Sequence, residues 1–136
     1  MKKPIIIFAL IVSCIYLFAQ QSSQLQASKA RGEKVYEQYC LTCHQKDGGG
    51  VPKLNPPLIK TSYVTGDKKK LINWVLKGST ENVLIDGKYY SNNMAAQDYL
   101  KDNEIADVLT YIRNSFGNKA SAVTPAEVKG VRATIK

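Results

Sequence analysis

The clearest hydrophobic pattern in the chain lies near its C-terminal end. Apolar residues recur there every three or four positions: Ile105, Val108, Leu109, Ile112 and Phe116. This spacing places all five on one face of an α-helix. Asp102 and Glu104 add negative charge to the first turn, and Gly117 is a typical helix end. We therefore predict an amphipathic helix over about residues 102–116.

A second helical face lies between Lys29 and Cys40. Gly32, Tyr36 and Cys40 are four residues apart and fall on one side of the predicted helix. Because Gly32 has no side chain, it can let the C-terminal helix approach closely, with Tyr111 against it. The alternative is two amphipathic helices that share a core without a special crossing.

Local signals predict the segments between these two helices. Residues 47–57 contain three glycines and three prolines, which predicts a loop. A helix is predicted over 68–77, capped by Asp67 and ended by Gly78. Asp86-Gly87 lies between Val83-Leu84-Ile85 and Lys88-Tyr89-Tyr90 and predicts the turn of a β-hairpin.

The end of the chain predicts one more helix. Residues 118–123 read as a linker. Thr124-Pro125-Ala126-Glu127 then combines a capping box with a proline at the first helical position. We predict a short amphipathic tail helix from here to about Ala133.

The first 19 residues predict an export signal. Lys2 and Lys3 provide a positive start, and residues 5–19 are apolar except for Ser13 and Cys14. Such a run is short for a membrane span, and an uncleaved anchor is one alternative. A lipoprotein signal with an acylated Cys14 ranks second, because the residues after it stay apolar. Residues 20–27 are rich in Gln and Ser and predict a flexible tether.

Size and charge narrow the class of protein. Without residues 1–19 the chain has 117 residues, which suits one domain, predicted over 28–117, with a linker and tail over 118–136. That part carries 17 Lys and Arg against 11 Asp and Glu. Nucleic-acid binding is not predicted, because the only tight basic cluster is Lys68-Lys69-Lys70 and no nucleic-acid motif accompanies it.

The candidate chemistry lies in Cys40-Leu41-Thr42-Cys43-His44. Two thiols three positions apart, followed at once by a histidine, are the spacing that attaches haem c. Each thiol can form a thioether with a haem vinyl group, and the turn between them brings His44 beneath the porphyrin as an iron ligand. We predict one haem c, covalently held through Cys40 and Cys43.

Two other kinds of site share part of this motif. A structural zinc site needs four N or S ligands, usually as two separated pairs of Cys or His, but the chain has no second pair and its only other cysteine, Cys14, lies inside the apolar leader. A thioredoxin-like thiol pair should follow a strand, whereas a helical pattern precedes Cys40. Both fit less well than haem c.

The sixth iron ligand decides between electron transfer and chemistry on a small molecule. His44 is the only histidine, and Met94 is the only methionine besides Met1. Met94 lies in an irregular stretch where no hydrophobic stripe requires a core residue, so we predict that it binds iron rather than filling a gap in the core. The alternative is a five-coordinate haem that binds a small ligand or reduces peroxide, but the sequence supplies no distal histidine for it.

Residues 28–117 resemble class I c-type cytochromes, most of all small monohaem periplasmic members. The resemblance rests on Gly32 and Tyr36 before the Cys-x-x-Cys-His motif, on Pro56-Pro57-Leu58, on the later methionine, and on a helix ending Tyr111-Ile112-Arg113. It implies a mostly α cytochrome c fold, with three to five helices around one covalently bound haem and at most a short β-hairpin.

The resemblance also assigns roles to individual residues. It implies that the carbonyl of Pro56, or alternatively that of Pro57, accepts a hydrogen bond from Nδ1 of His44. It implies that Trp74 packs near the haem edge, and that Asn92 or Asn93 can bond near Met94 or a propionate. Ala95 departs from the family, in which proline commonly follows the methionine.

The implied function is a one-electron carrier rather than an enzyme. His/Met ligation favours ferrous iron and leaves no position open for a substrate. The expected partners are redox proteins with acidic docking surfaces, such as a dehydrogenase, an oxidase or a reductase, that face Lys46, Lys53 or Lys60. A dedicated haem subunit of a dehydrogenase complex is a further alternative. The expected location is the periplasm, with membrane attachment through the N-terminus as a variant.

Overall fold

The computed structural model describes residues 3–135, with side chains described at Ser13, at Tyr16 and from Ala19 onward. In chain order the helices are α1 Lys3–Tyr39, α2 Leu41–His44, α3 Ser62–Thr65, α4 Lys68–Lys77, α5 Asp102–Arg113 and α6 Pro125–Arg132. The strands β1 Val83–Ile85 and β2 Lys88–Tyr90 form an antiparallel hairpin. The prediction of a mostly α fold with a short hairpin is confirmed. Residues 3–135 contain six helices, one more than the upper limit of the predicted three to five, because α2 and α3 are single turns. Of these two, α3 was not predicted.

The most extensive helix contact joins α1 to α5. Gly32 lies directly against α5, because a Cβ atom there would lie 2.8 Å from Cβ of Tyr111 and would overlap the backbone carbonyl of Asp107. The close crossing predicted at Gly32 is therefore confirmed. An ion pair fixes the same crossing, since Arg31 Nε lies 2.6 Å from Oδ2 of the buried Asp107.

Helix α1 is longer than predicted. It passes without a break through residues 20–27, where the sequence predicted a flexible tether, so that prediction is wrong for the secondary structure. The reason is that neither glycine nor proline occurs between Ile5 and Arg31, while Gln, Leu and Ala are good helix formers. The polar composition of 20–27 argues against burial, not against a helix that its neighbours have already nucleated.

The predicted N-terminal signal remains a prediction. Residues 1 and 2 lie outside the described residues, and so does the side chain of Cys14 on which the lipoprotein alternative depends. Within the described part of the chain, no helix carries an apolar stretch long enough to cross a lipid bilayer.

Helix α5 ends earlier than its hydrophobic stripe. Its last residue is Arg113, and Phe116 adopts a left-handed backbone conformation with φ of 55°. The ring of Phe116 still reaches the core, where its centroid lies 5.4 Å from that of Tyr36 and 5.6 Å from that of Tyr111. Periodicity alone therefore placed Phe116 on the correct face but extended the helix too far.

Helices α4 and α6 have the predicted ends. The Asp67 carboxylate accepts a hydrogen bond from the Lys70 N–H, and Gly78 follows the last residue of α4. Thr124 and Glu127 form the predicted capping box at the start of α6. Lys68 Nζ lies 2.5 Å from Glu127 Oε1, so this pair links α4 to α6.

The core collects apolar side chains from α1, α4, α5 and α6 on one side of a cleft. Its fully covered members include Tyr36, Ile72, Ile105, Leu109 and Val128. Arg113 is buried beside them, with 2% of its surface exposed. Its guanidinium donates to the backbone carbonyls of Val64 and Ser121, at 2.6 and 2.8 Å. This side chain thus ties the C-terminal linker to the end of α3.

Candidate functional site

The predicted haem-attachment motif begins where α1 ends. Cys40 follows Tyr39, the last residue of α1, and the chain then makes the single turn α2. In that turn the N–H groups of Cys43 and His44 both donate to the Cys40 carbonyl, at 3.2 and 2.9 Å. This turn brings Cys40, Cys43 and His44 to the wall of one predominantly apolar cleft.

The imidazole of His44 is held from behind by the following loop. Its Nδ1 lies 3.0 Å from the carbonyl oxygen of Pro56, the first of the two prolines considered from the sequence. Burial lowers the pKa of His44, and the bond to Pro56 opposes this shift. The ring is therefore neutral at physiological pH, with Nδ1–H as the donor and Nε2 left as the basic nitrogen.

Gly50 lets the loop fold back onto His44. Its N–H donates to the His44 carbonyl at 3.1 Å, and its φ of 67° lies in the left-handed region. A Cβ atom at this position would lie 2.6 Å from the Pro56 carbonyl oxygen. Only glycine therefore allows both the turn and the contact between the loop and the histidine.

The two thiols differ in their surroundings. Cys40 is half-buried, whereas Cys43 is exposed. Burial raises the pKa of the Cys40 thiol to about 11, and the neighbouring Cys43 adds to the shift. Until haem is attached, the Cys40 sulfur thus carries its proton at neutral pH. The exposed Cys43 marks the place where the cleft reaches the surface.

Met94 lines the same cleft as His44. It is half-buried in a segment without helix or strand, and it forms an antiparallel bridge with Ser79 just beyond α4. The structure therefore brings together all five residues that the sequence singled out: Cys40, Cys43, His44, Pro56 and Met94.

The family comparison agrees with this geometry. The family described as Cytochrome c matches residues 29–116, which include the motif, the loop and Met94. The chain belongs to the cytochrome c family. It accordingly binds haem c covalently and acts as an electron carrier.

Similar proteins carry related descriptions. The alcohol dehydrogenase (quinone) cytochrome c subunit of Gluconacetobacter polyoxogenes is 37% identical over 108 residues, which cover 76% of this cytochrome and 22% of the relative. Cytochrome c-552 of Thermus thermophilus is 34% identical over 118 residues, which cover 80% and 79%. The gluconate 2-dehydrogenase cytochrome c subunit of Pantoea cypripedii is 35% identical over 105 residues, which cover 74% and 24%. This cytochrome thus spans less than a quarter of each dehydrogenase subunit.

The cleft suits the haem of a cytochrome c. Apolar side chains from α4, α5 and the hairpin form most of its walls, among them Leu71, Val75, Val83, Ile85, Leu109 and Ile112. The polar groups that face it are few, and they include a nitrogen of His44 and the sulfur of Met94, which are atoms of the kind that can bind haem iron. An apolar macrocycle with iron at its centre matches both properties of the cleft.

The resemblance also implied roles near the haem for Trp74, Asn92 and Asn93, and the structure agrees with these only in part. Trp74 lines the cleft and packs edge-on against Tyr63, with ring centroids 5.8 Å apart. Asn92 and Asn93 also line it, but the side-chain amide of Asn92 donates to Asn55 at 2.7 Å. Asn92 therefore ties the Met94 segment to the loop rather than bonding to Met94.

Sequence reasoning missed Ser79 and Tyr63. Ser79 bonds to Met94 across fifteen positions, and Tyr63 lies on the unpredicted turn α3. A serine directly after a helix-ending glycine was visible in the sequence, but nothing there indicates which segment it meets.

Proposed function

We propose that Cys40 and Cys43 hold haem c through two thioethers, with His44 and Met94 as axial ligands, in an exported carrier of single electrons. The observation that carries this proposal is that His44 and Met94 line one cleft whose other walls are mostly apolar. A bound haem c would supply an iron that alternates between the ferrous and ferric states.

His44 is prepared for ligation by its neighbours. Because Nδ1–H is engaged by Pro56, the tautomer is fixed and Nε2 is the nitrogen available to iron. The same hydrogen bond increases the basicity of the ring. The histidine therefore needs no proton transfer before it binds.

The apolar walls of the cleft favour the ferrous state of a bound haem over the ferric state. Ferric haem carries one more positive charge than ferrous haem, and a poorly solvating cleft disfavours that charge. The soft thioether of Met94 also favours ferrous iron. Both effects raise the reduction potential, which suits a carrier that accepts electrons from a dehydrogenase or passes them to an oxidase.

Electrons would enter and leave beside Cys43, where the cleft meets the surface. Tyr39 lines the cleft there and packs edge-on against Tyr99, and the two rings are 39% and 63% exposed. Lys46 and Lys53 are exposed on the segment that follows His44. Exposed aromatic rings and exposed lysines suit a brief encounter with an acidic redox protein, with an interface below about 1,200 Å².

Covalent attachment is tested by intact mass. The holoprotein is expressed with haem-maturation machinery and denatured in acid before mass spectrometry. We expect the wild-type mass to exceed that of the polypeptide by one haem, and a Cys40→Ser, Cys43→Ser double variant to show the polypeptide alone. A wild-type protein that released its haem on denaturation would contradict the proposed attachment.

Docking is tested with ferricyanide, a small anionic oxidant. We expect the rate constant for oxidation of the ferrous protein to fall as ionic strength rises. A Lys46→Glu, Lys53→Glu variant should lose most of this dependence. Lys119→Glu, Lys129→Glu is the matched control, because both lysines are exposed in the C-terminal part and the change in net charge is the same. Equal losses in both variants would contradict a local docking surface.

A dedicated subunit of a dehydrogenase is the second candidate function. It is favoured by the relatives described as dehydrogenase cytochrome subunits. Purification of the tagged protein from its native membrane and soluble fractions distinguishes the two cases. A stoichiometric dehydrogenase that stays bound through gel filtration would favour the subunit, and a lone protein in the exported soluble fraction would favour the free carrier.

A further inference from the structure

Ser79 holds the backbone of Met94 through two hydrogen bonds. The Ser79 N–H donates to the Met94 carbonyl at 2.9 Å, and the Met94 N–H donates to Ser79 Oγ at 3.2 Å. The backbones of these two residues also form an isolated antiparallel bridge. Both polar groups of the Met94 backbone are thereby engaged by one residue outside its own segment.

The rest of the Met94 segment has little structure of its own. Residues 91–101 contain neither helix nor strand, and Ala95 and Ala96 after Met94 impose no special backbone restriction. Upstream, the Asn92 N–H donates to the Leu54 carbonyl at 3.1 Å. Downstream, the Gln97 N–H donates to the Val75 carbonyl at 2.9 Å. These contacts hold the ends of the segment, and Ser79 holds its middle.

Ser79 is well placed for this task because it follows a rigid element. Helix α4 packs into the core through Leu71, Ile72 and Leu76, and it ends at Lys77. Ser79 lies two residues later and lines the cleft beside Met94. Ser79 thus links the backbone of Met94 to the end of α4 through only one intervening residue, Gly78.

We propose that Ser79 is the positioning residue for the Met94 thioether. This inference rests on the proposed function, in which Met94 is the distal ligand. The hydroxyl of Ser79 stabilises the backbone conformation in which the thioether faces the cleft. Without it, the Met94 N–H loses this hydrogen bond, and the segment can move away from the cleft more easily.

The two bonds can be separated by substitution. The bond from the Ser79 N–H survives any replacement that keeps a backbone N–H, whereas the bond to Oγ is lost in Ser79→Ala. Ser79→Thr keeps a hydroxyl oxygen and should rescue the interaction. Ser91→Ala is the matched control, because it removes a hydroxyl bond in the same segment, from Ser91 Oγ to the Lys53 carbonyl, without touching Met94.

The test is imidazole binding to the ferric holoprotein. Imidazole competes with the thioether for the same position, so its dissociation constant reports how firmly Met94 is held. The readout is loss of the weak near-infrared band that arises from a sulfur–iron bond. For one hydrogen bond we expect Ser79→Ala to bind imidazole about two- to tenfold more tightly than wild type. Ser79→Thr and Ser91→Ala should stay within about twofold.

The outcomes distinguish a positioning role of Ser79 from a general effect on stability. A general loss of stability without a positioning role would lower the unfolding midpoint of Ser79→Ala but leave its imidazole affinity at the wild-type value, and this would overturn the inference. Equal tightening in Ser91→Ala would overturn it as well. A wild-type protein without the near-infrared band would instead refute Met94 ligation itself, so failure of the inference and failure of the proposed function are distinguishable.

Discussion

The Nδ1 atom of His44 lies 3.0 Å from the carbonyl oxygen of Pro56. This hydrogen bond joins the attachment motif to a loop that has neither helix nor strand, and it fixes the tautomer of the only histidine in the chain. The acceptor is a backbone carbonyl, whose position depends on how the loop folds. Substitution of Gly50, which allows the loop to fold back onto His44, is therefore the most direct way to disturb this hydrogen bond.

Gly50→Ala should weaken the holoprotein. The new Cβ would lie 2.6 Å from the Pro56 carbonyl oxygen, and alanine would be strained at a φ of 67°. We expect the free energy of unfolding in urea to fall by at least about 1 kcal/mol. An unchanged urea midpoint would contradict the tight packing of this loop on His44.

Gly32→Ala should separate α1 from α5. Alanine has the better helix propensity, by about 1 kcal/mol, but its methyl group would overlap the Asp107 carbonyl. We expect overpacking to prevail and the free energy of unfolding to fall by about 1–3 kcal/mol. A variant more stable than wild type would show that propensity outweighs the crossing.

Gly130→Ala is the common control for both glycine variants. Gly130 lies in α6, and a Cβ atom built there meets nothing within 4 Å. Because the helix gains propensity without a clash, we expect a gain in stability of up to about 1 kcal/mol. The three variants together separate loss of glycine from loss of close approach.

The ion pair between Arg31 and Asp107 should contribute measurably to stability. Arg31 is mostly exposed, but the Asp107 side chain is only 9% exposed and also accepts a hydrogen bond from Ser28 at 2.6 Å. We expect Asp107→Asn to lower the free energy of unfolding by about 2 kcal/mol, because a hydrogen-bonded charge is lost. A double-mutant cycle with Arg31→Met should give a coupling near about 1 kcal/mol, and Lys34→Met, on the exposed side of α1, should give none. A coupling of zero at Arg31 would contradict the prediction.

Arg113→Met should be among the most destabilising single changes. The guanidinium donates to the carbonyls of Val64, Gly66 and Ser121, and methionine would leave these acceptors without that donor. We expect a loss of about 2–4 kcal/mol in urea unfolding. Arg113→Lys should recover only part of it, because an ammonium cannot reproduce the planar set of donors. Wild-type stability in Arg113→Met would exclude this structural role.

Much of the fold could be predicted because it depends on local signals. The caps Asp67 and Thr124, the turn Asp86-Gly87 and the spacing from Ile105 to Ile112 each act within a few residues. Gly32 was also predictable, because the absence of a side chain on an otherwise apolar face indicates a close neighbour. The differences arose where a local signal was incomplete. The composition of residues 20–27 reports burial but not helicity, and the stripe that includes Phe116 continues beyond the end of α5.

The candidate site also contains residues that could be predicted from the sequence and residues that could not. Cys40, Cys43 and His44 form a contiguous motif, and Met94 could be singled out because the chain offers so few iron ligands. The choice between Pro56 and Pro57 required three-dimensional geometry, since adjacent carbonyls point in different directions. Ser79 could not be predicted, because its bond to Met94 depends on how the end of α4 meets a segment without regular structure.

The pairing of His44 with Met94 is tested most directly by the near-infrared absorption of the ferric holoprotein, recorded for wild type and for Met94→Ala. We expect a weak sulfur-to-iron band in wild type and its complete loss in Met94→Ala, with haem still covalently attached. Asn93→Ala, next to Met94 in the same segment, should retain the band. A high-spin ferric spectrum without this band in the wild-type protein would contradict His/Met ligation and favour a five-coordinate haem.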